Sequence, residues 1–465
     1  MVSKRKQRTN YKGRATACRS DVGVTLMWGR PLATGMAILV AATLSASCAT
    51  TKSVGSNIKR AYNGEAVDRK ELTQAVVADT KDMEAGLGVL RRRLEAAYAQ
   101  LKSNVQKRWG QSDTKVATRT VFVKYTQGYK SRVITDFDHG TLTIETVDEN
   151  DPQGSLRATI AAALLTSSDP AAVDLFTDKD VTLEPNRKPY LYGLVHDQHG
   201  KPIATRDQAV QFANYLVPQK MQKRATDTEA GGKQALFVQI MMVKNFEAKG
   251  AERYRASVEK YAAQYGVSPT LVLAIIRTES NFNPFAVSGA PAYGLMQLVP
   301  TSGGRAGVRR AQGIEQTPTP EYLLDPEHNI ELGTAYLAVL DGVEFHPVGN
   351  SESRDYCVIA AYNTGPRNVT RVFASDRAEA MNHINDLQPT ALLERLRTDL
   401  PFEETRKYVV RVSGYRKQFT VVAAGGPAAV GSAASVPAAS IPAAPSHLSK
   451  GGPPVTAAAQ APHGS

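Results

Sequence analysis

The chain has 465 residues, 42% of them hydrophobic and 22% charged, so it can hold two or three domains and is too apolar to be disordered throughout. Its formal charge of +12 is concentrated at the start: residues 1–30 carry eight Lys/Arg against one acid, Asp21, and the other 48 basic and 43 acidic side chains leave only +5. That mild excess is compatible with an acidic polymer or a membrane surface, and with no nucleic-acid motif present no nucleic-acid partner is expected.

Residues 1–47 read as a leader. A basic flank precedes the uncharged run Pro31–Ser47, which is apolar, rich in small residues and too interrupted for a comfortable membrane span. Cys48 follows, and it resembles the acylation site of a bacterial lipoprotein. One feature departs from that pattern: Ser45 stands where a Leu is usual, with Leu44 one place further back. The flank before the apolar run is long, and Met27 is an alternative start. Cleavage without lipid is the plainer reading. Of the three cysteines, Cys18 and Cys48 belong to the leader, which leaves Cys357 in an apolar helical run as a buried, unreactive thiol and no disulfide framework.

Residues 48–65 are polar and read as a tether, and residues 66–245 as an α+β domain. Asp68 to Trp109 keeps apolar residues at helical spacing, with a break possible near Asp79. From Thr118 the period becomes two: Val121, Val123 and Tyr125 share one face, Thr120 and Lys124 the other, and Phe122 is an exception among them. Arg132–Asp138 and Thr141–Val147 flank His139-Gly140 as a hairpin. A helix is expected from Leu156 to Leu165, a turn at His196–Gly200, a helix from Asp207 ending before Pro218, and a strand over Ala235–Val243. His196 and His199 sit in an exposed turn without a Cys/His partner nearby, so no metal and no cofactor is expected.

Residues 246–420 read as all-α. A helix from Arg253 to Tyr265 closes on Gly266. Ser268 and Pro269 can open the next one, apolar on every side from Leu271 to Ile276, and Pro284 disfavours helix at Asn283, so it should stop near Ser280. Glu279 then sits at the C-terminal end of a buried helix, where the dipole and the apolar surroundings both raise a carboxyl pKa. Such a group can serve as a general acid. A Glu whose head group simply reaches water is the plainer reading of that helix alone. Further helices are expected from Asp325-Pro326 to Leu340, from Arg354 to Tyr362 and from Glu403 to Tyr415. Residues 421–465, mostly Ala, Pro, Gly and Ser, should be disordered.

Several segments around this helix recur in a known order. Glu279-Ser280, Ala286-Val287-Ser288, Gly294-Leu295-Met296-Gln297, Ala361-Tyr362-Asn363 and Pro401–Val409 resemble the motifs of lytic transglycosylases with a goose-lysozyme-like catalytic domain. Each is weak by itself; their order carries the resemblance. The membrane-bound type C subgroup looks most similar, because a lipoprotein-like leader and an extra domain precede the catalytic part. The α+β domain read above is followed by an all-α domain consistent with the lysozyme-like resemblance, which implies cleavage of the bond between N-acetylmuramic acid and N-acetylglucosamine in peptidoglycan. The resemblance also implies Glu279 as acid and then base, forming a 1,6-anhydro ring without water. Ser288 and Gln297 would contact substrate, Met296 would shape the groove, Tyr362 would hold Glu279 through its hydroxyl, Asn363 would support that loop and Tyr408 would line the cleft. Peptidoglycan strands would be the partner, and a lipid at Cys48 would anchor the chain on the periplasmic side of the outer membrane. No Asp or Glu occurs between Ser280 and Ile314, which weakens a two-carboxylate glycosidase without removing a carboxylate brought in by folding. A goose-type hydrolase and a non-catalytic wall-binding lipoprotein remain open alternatives.

Overall fold

The computed structural model describes residues 96–179, 188–226, 232–288 and 292–423. The leader, Cys48, the tether, the first helical stretch before residue 96 and the tail after residue 423 lie outside the described residues. All the described residues belong to one unit, Ala85–Ser465, α+β in its first half and all-α in its second.

Alternating apolar residues build the first half around an antiparallel sheet of order β1-β2-β3-β5-β4. The strands are β1 (Val121–Thr126), β2 (Ser131–Asp136), β3 (Thr141–Thr146), β4 (Gln222–Ala225) and β5 (Gln234–Met241). The β2–β3 hairpin turns at His139-Gly140, with Asp136 opposite Thr141. Gly140 has φ +60 and touches the ring of Phe246, which a Cβ would meet at 2.6 Å. Around His196–Gly200 the chain makes a turn closed by Asp197 N–H on the Lys201 carbonyl, and its flanks form single bridges rather than strands.

Both faces of the sheet are covered, which corrects the reading of β1. Val123 and Tyr125 pack under α1 (residues 96–109), against Leu101, Val105 and Trp109. Phe122 is no exception: it belongs to the opposite core, with Ile144, Val238 and residues of α2 (Pro152–Leu164) and α3 (Arg206–Lys220). Lys124 lies on that same face and is buried, its Nζ donating to the carbonyls of Asp174 and Thr177 at 2.7 Å each. Those acceptors are what make a buried ammonium tolerable.

The α1 side of the sheet carries an ion network. Arg132, fully buried, pairs with Glu145 at 2.6 Å and lies 3.8 Å over the Trp109 ring, while Arg224 reaches Glu145 at 2.8 Å. Burial alone would raise the Glu145 carboxyl, but the two guanidiniums outweigh it and hold it below its ordinary value. Arg224 explains β4, which escapes prediction from the sequence because Gln-Lys-Arg-Ala has no apolar alternation. Helix α3 runs through Pro218 to Lys220 instead of stopping before it. The proline falls in the last turn, where it removes one hydrogen bond, and Met221 N–H still closes on the Val217 carbonyl.

The second half is built around one helix. After α4 (Phe246–Tyr265, closed by Gly266 at φ +70) comes α5 (Pro269–Ser280), buried at every position from Leu271 to Ile276. Pro269 opens α5 as expected, but Ser268 gives no side-chain cap and bonds the Thr270 hydroxyl instead. Around α5 lie α6 (Arg305–Gln312), α7 (Pro320–Leu324), α8 (Pro326–Val339), α9 (Ser351–Thr364), α10 (Pro366–Thr370), α11 (Arg377–Asp386), α12 (Pro389–Asp399) and α13 (Glu403–Ala423). Helices α4 and α13 lie directly on α5. Asp325 caps α8 by accepting from His328 N–H.

The halves interlock just after α5. Asn281 Nδ2 donates to the Phe137 carbonyl at 2.7 Å and Asn283 Nδ2 to the Arg119 carbonyl at 3.0 Å. Phe285 enters the core of the sheet, stacked on Phe122 at 4.4 Å and edge-on to Tyr190 at 5.2 Å. Truncating a buried aromatic of this kind costs about 3–5 kcal/mol. Phe285→Ala is therefore expected to lower stability by that amount in denaturant unfolding, and a loss below about 1 kcal/mol would show that the ring is not buried between the halves.

Candidate active site

Helix α5 ends at Ser280, where the sequence placed it, but the immediate cause is Asn281. Asn281 and Phe282 take left-handed backbone, φ 45 and φ 63, and Asn281 N–H closes on the Arg277 carbonyl. Asn tolerates that conformation better than most residues. The reversal leaves Glu279 in the last turn, 5% exposed, and starts the segment that docks on the sheet.

The loop carrying Gly294–Gln297 is braced from several sides. Ser280 Oγ donates to the Leu295 carbonyl at 2.8 Å. Asn329, fully buried on α8, accepts from Met296 N–H at 2.7 Å and donates to the carbonyls of Tyr293 and Leu323 at 2.8 and 2.7 Å. Gly294 has φ +76, and a Cβ there would sit 2.3 Å from the Leu323 carbonyl oxygen, so only glycine fits. Gln297, itself at φ 46, spends its amide N–H groups on the carbonyls of Ala286 and Gly294. Its Oε1 is buried with no protein partner among the described residues.

The expected site residues take up different tasks around this loop. Tyr362 comes near Glu279, but its hydroxyl donates to the Met296 carbonyl at 2.9 Å. The hydroxyl that acts on the Glu279 carboxyl belongs to Tyr408, fully buried on α13, in a contact short of a regular hydrogen bond. Chain geometry decides the exchange, because the bond to Met296 already uses the Tyr362 proton. Met296 has no exposed surface; its sulfur rests against Gly333, which is why α8 has no side chain at that point. Asn363 Oδ1 accepts from Thr405 Oγ1 at 2.6 Å and so ties α9 to α13. Ser288 N–H bonds the Ala292 carbonyl at 3.3 Å, at the end of the same loop.

Two charged residues joined by an ion pair stand beside Glu279, and neither was named as a site residue from the sequence. Arg119, in the segment leading into β1, brings Nη1 to 3.5 Å from Glu279 Oε2 and 3.5 Å from Glu404 Oε1. Glu404 lay within the quoted Pro401–Val409 stretch, and it is the distant carboxylate that folding could supply. Arg119 gave no signal, since its partner is 160 positions away in the chain.

Burial pushes the Glu279 carboxyl up to about 7; Arg119 and Tyr408 oppose that rise, Glu404 adds to it and Arg411 opposes it. The group is thus poised to give up a proton and take one back near neutral pH. Burial also pushes the Cys357 thiol up to about 12, so it is unreactive at neutral pH. Among the described residues no cluster of His, Cys, Asp or Glu could hold a metal ion, and no helix is long and apolar enough to cross a membrane.

The sequence compares with known proteins in a way that matches this division. Residues 256–385 match the transglycosylase SLT domain, and residues 85–253 match the N-terminal domain of membrane-bound lytic murein transglycosylase C. The membrane-bound lytic murein transglycosylase C of Yersinia enterocolitica serotype O:8 / biotype 1B is 37% identical over 384 residues, which are 83% of this chain and 98% of that protein. That of Serratia proteamaculans is 38% identical over 385 residues, with the same coverage. Among solved structures, the 70 kDa soluble lytic transglycosylase SLT70 of Escherichia coli aligns with 39% of this chain and 26% of its own at 30% identity and a TM-score of 0.30, a likeness too partial to bear on the fold. The chain belongs to the membrane-bound lytic murein transglycosylase C family.

The raised carboxyl has a consequence for stability. A Glu whose value is about 7 in the fold and 4.5 as an ordinary group binds its proton more tightly when folded. Its stabilising contribution is complete below about 4.5 and is lost as pH rises through about 7, a change of about 3 kcal/mol. Glu279→Gln carries no such proton. Its stability relative to the wild type should rise by about that amount between pH 4 and pH 8, measured by denaturant unfolding; parallel pH curves would show the carboxyl to be unperturbed.

Proposed function

We propose that the chain is a peptidoglycan lytic transglycosylase in which Glu279 alone serves as acid and then base. The observation that carries this is a buried carboxyl at the end of α5, raised to about 7, with a guanidinium 3.5 Å away to support its ionised form. Glu279 gives its proton to the glycosidic oxygen as the bond from the N-acetylmuramic acid C1 to that oxygen breaks. The sugar's acetamido oxygen supports the cation at C1, a substrate-assisted route. Glu279, now a carboxylate, takes the proton of the 6-hydroxyl while its oxygen bonds to C1. The product is a 1,6-anhydro ring, Glu279 is again protonated, and no water is consumed.

The surrounding residues divide the remaining work. Tyr408 orients the Glu279 carboxyl, in the place first expected of Tyr362. Tyr362, Asn329 and the buried Met296 fix the shape of the loop, and Asn363 holds α9 to α13 beside it. Gln297 Oε1, buried and unpartnered, is left to accept from a donor on the substrate, with Ser288 at the same loop's end. Purified sacculi test this reading. The soluble protein should release muropeptides lighter by one water than hydrolysis products, as read by mass spectrometry. Glu279→Gln should abolish release while keeping the fold. Turnover by the folded variant would remove Glu279 from the mechanism, and hydrated ends from the wild type would make the enzyme a hydrolase.

Position in the cell depends on Cys48. Its lipidation would hold the chain on the periplasmic side of the outer membrane, and Ala49-Thr50 supplies no Asp of the kind associated with inner-membrane retention. A processed lipoprotein carries several acyl chains, enough for stable anchoring. Labelling with a fatty-acid analogue should vanish in Cys48→Ala; an unlabelled wild type would exclude the anchor.

A further inference from the structure

Among the described residues the sheet-bearing half has no group of His, Cys, Asp or Glu that could hold a metal ion. It does, however, reach into the site just described. We infer that Arg119 is a positioning residue for Glu279, set between the Glu279 and Glu404 carboxylates so that it supports the charge Glu279 acquires on giving up its proton, with Glu404 limiting that support. The inference rests on Glu279 being the acid.

Three observations carry it. Nη1 of Arg119 stands 3.5 Å from an oxygen of each carboxylate, so one cation is shared between two anionic groups from different helices. The Glu279 side chain is 6% exposed and that of Arg119 28%, whereas that of Glu404 is 59%, so the pair with Glu279 lies where charges are screened least. The backbone of the segment bearing Arg119 is held separately from its side chain, through Asn283 Nδ2 on its carbonyl. Changing the side chain therefore leaves that backbone contact between the two halves in place. That separates electrostatic support from packing.

The other groups that face Glu279 come from α13 and α9. Tyr408 and Arg411 act on the carboxyl in the same direction as Arg119, Glu404 acts against them, and Tyr362 lies beside it with its proton committed to Met296. A cation at this distance does two things. It makes Glu279 a stronger acid for the first proton transfer, and it stabilises the carboxylate that waits to collect the second proton. Without Glu404 the cation would act on Glu279 alone, and the group would ionise at lower pH. Glu404 draws on the same guanidinium and holds that tendency back. Burial raises the acid, and two charged residues, one from each half of the molecule, then act on it in opposite directions.

The test is the pH profile of kcat/KM on sacculi for Arg119→Gln and Glu404→Gln, with Arg119→Lys as the conservative variant and denaturant unfolding as a check on the fold. Without the cation, the alkaline limb should move up by about 1 pH unit or more, with the rate at its acidic plateau reduced. Without Glu404 the limb should move down. Arg119→Lys should return most of the wild-type position. Opposite shifts are the signature, since a residue that only packs would lower the rate without moving either limb. Limbs that stay put, or that move in the same direction, overturn the inference. Glu279→Gln, run alongside, keeps the two failures apart. If it is inactive and the limbs do not move, Glu279 stands and Arg119 falls; if it turns over, the reading of Glu279 itself is lost.

Discussion

The structure depends most on how Glu279 is kept out of water. Its carboxyl sits in the last turn of a helix that is buried all round, and the chain reverses immediately behind it through two left-handed residues, Asn281 and Phe282. That reversal would be costly by itself, of the order of 1–3 kcal/mol for each such position. It persists because the residues beyond the helix are anchored elsewhere: Asn281 and Asn283 bond the backbone of the sheet-bearing half, and Phe285 is packed in its core. The sheet-bearing half is therefore part of the wall that desolvates the acid. A raised pKa at position 279 is a property of both halves together.

The same burial sets a limit that the charged neighbours resolve. A carboxylate fully removed from water would hold its proton too tightly to donate it, and one fully paired with an arginine would lose it too early. Arg119 at 3.5 Å, loosely placed and shared with Glu404, lies between those extremes. The buried pair Arg132–Glu145 shows the contrast within one molecule. There two guanidiniums at 2.6 and 2.8 Å hold the carboxyl below its ordinary value, and the network serves only to pin α1 and the edge strand to the sheet.

Local features of the chain were legible where local chemistry decides them. Helix α5, its opening at Pro269 and its end at Ser280 could be read from seventeen consecutive residues, Ser268–Pro284, because propensity and punctuation agree there. The hairpin at His139-Gly140 and the start of α8 at Asp325-Pro326 were legible for the same reason. The rest depended on what approaches from a distance. Phe122 looked misplaced because a period-two pattern implies one wet face, whereas this sheet is covered on both. Edge strand β4 is held by Arg224 on Glu145, and no apolar pattern announces it. In the site, the motifs pointed to Glu279 and to the loop beside it, but sequence order cannot say that the Tyr362 hydroxyl is already engaged by a backbone carbonyl. Arg119 could not be found at all from its own surroundings.

On the proposed route, the remaining question is why the 6-hydroxyl reaches C1 before water does. The hydroxyl belongs to the same sugar, and a well-oriented intramolecular group has an effective molarity that can reach ~10⁵ M or more, above the concentration of bulk water. That advantage holds only while the ring is kept in the pucker that brings O6 to C1. Rigidity around the acid is therefore as necessary as its pKa. The loop supplies it through backbone contacts: Asn329, Ser280, Gln297 and Tyr362 each hold a main-chain group of the Tyr293–Gln297 turn. Apart from Gln297 Oε1, their polar groups are largely consumed by the protein and have little left for the sugar. Selection between the two nucleophiles then rests on a fixed surface beside a dry carboxyl, rather than on side chains that grip the substrate.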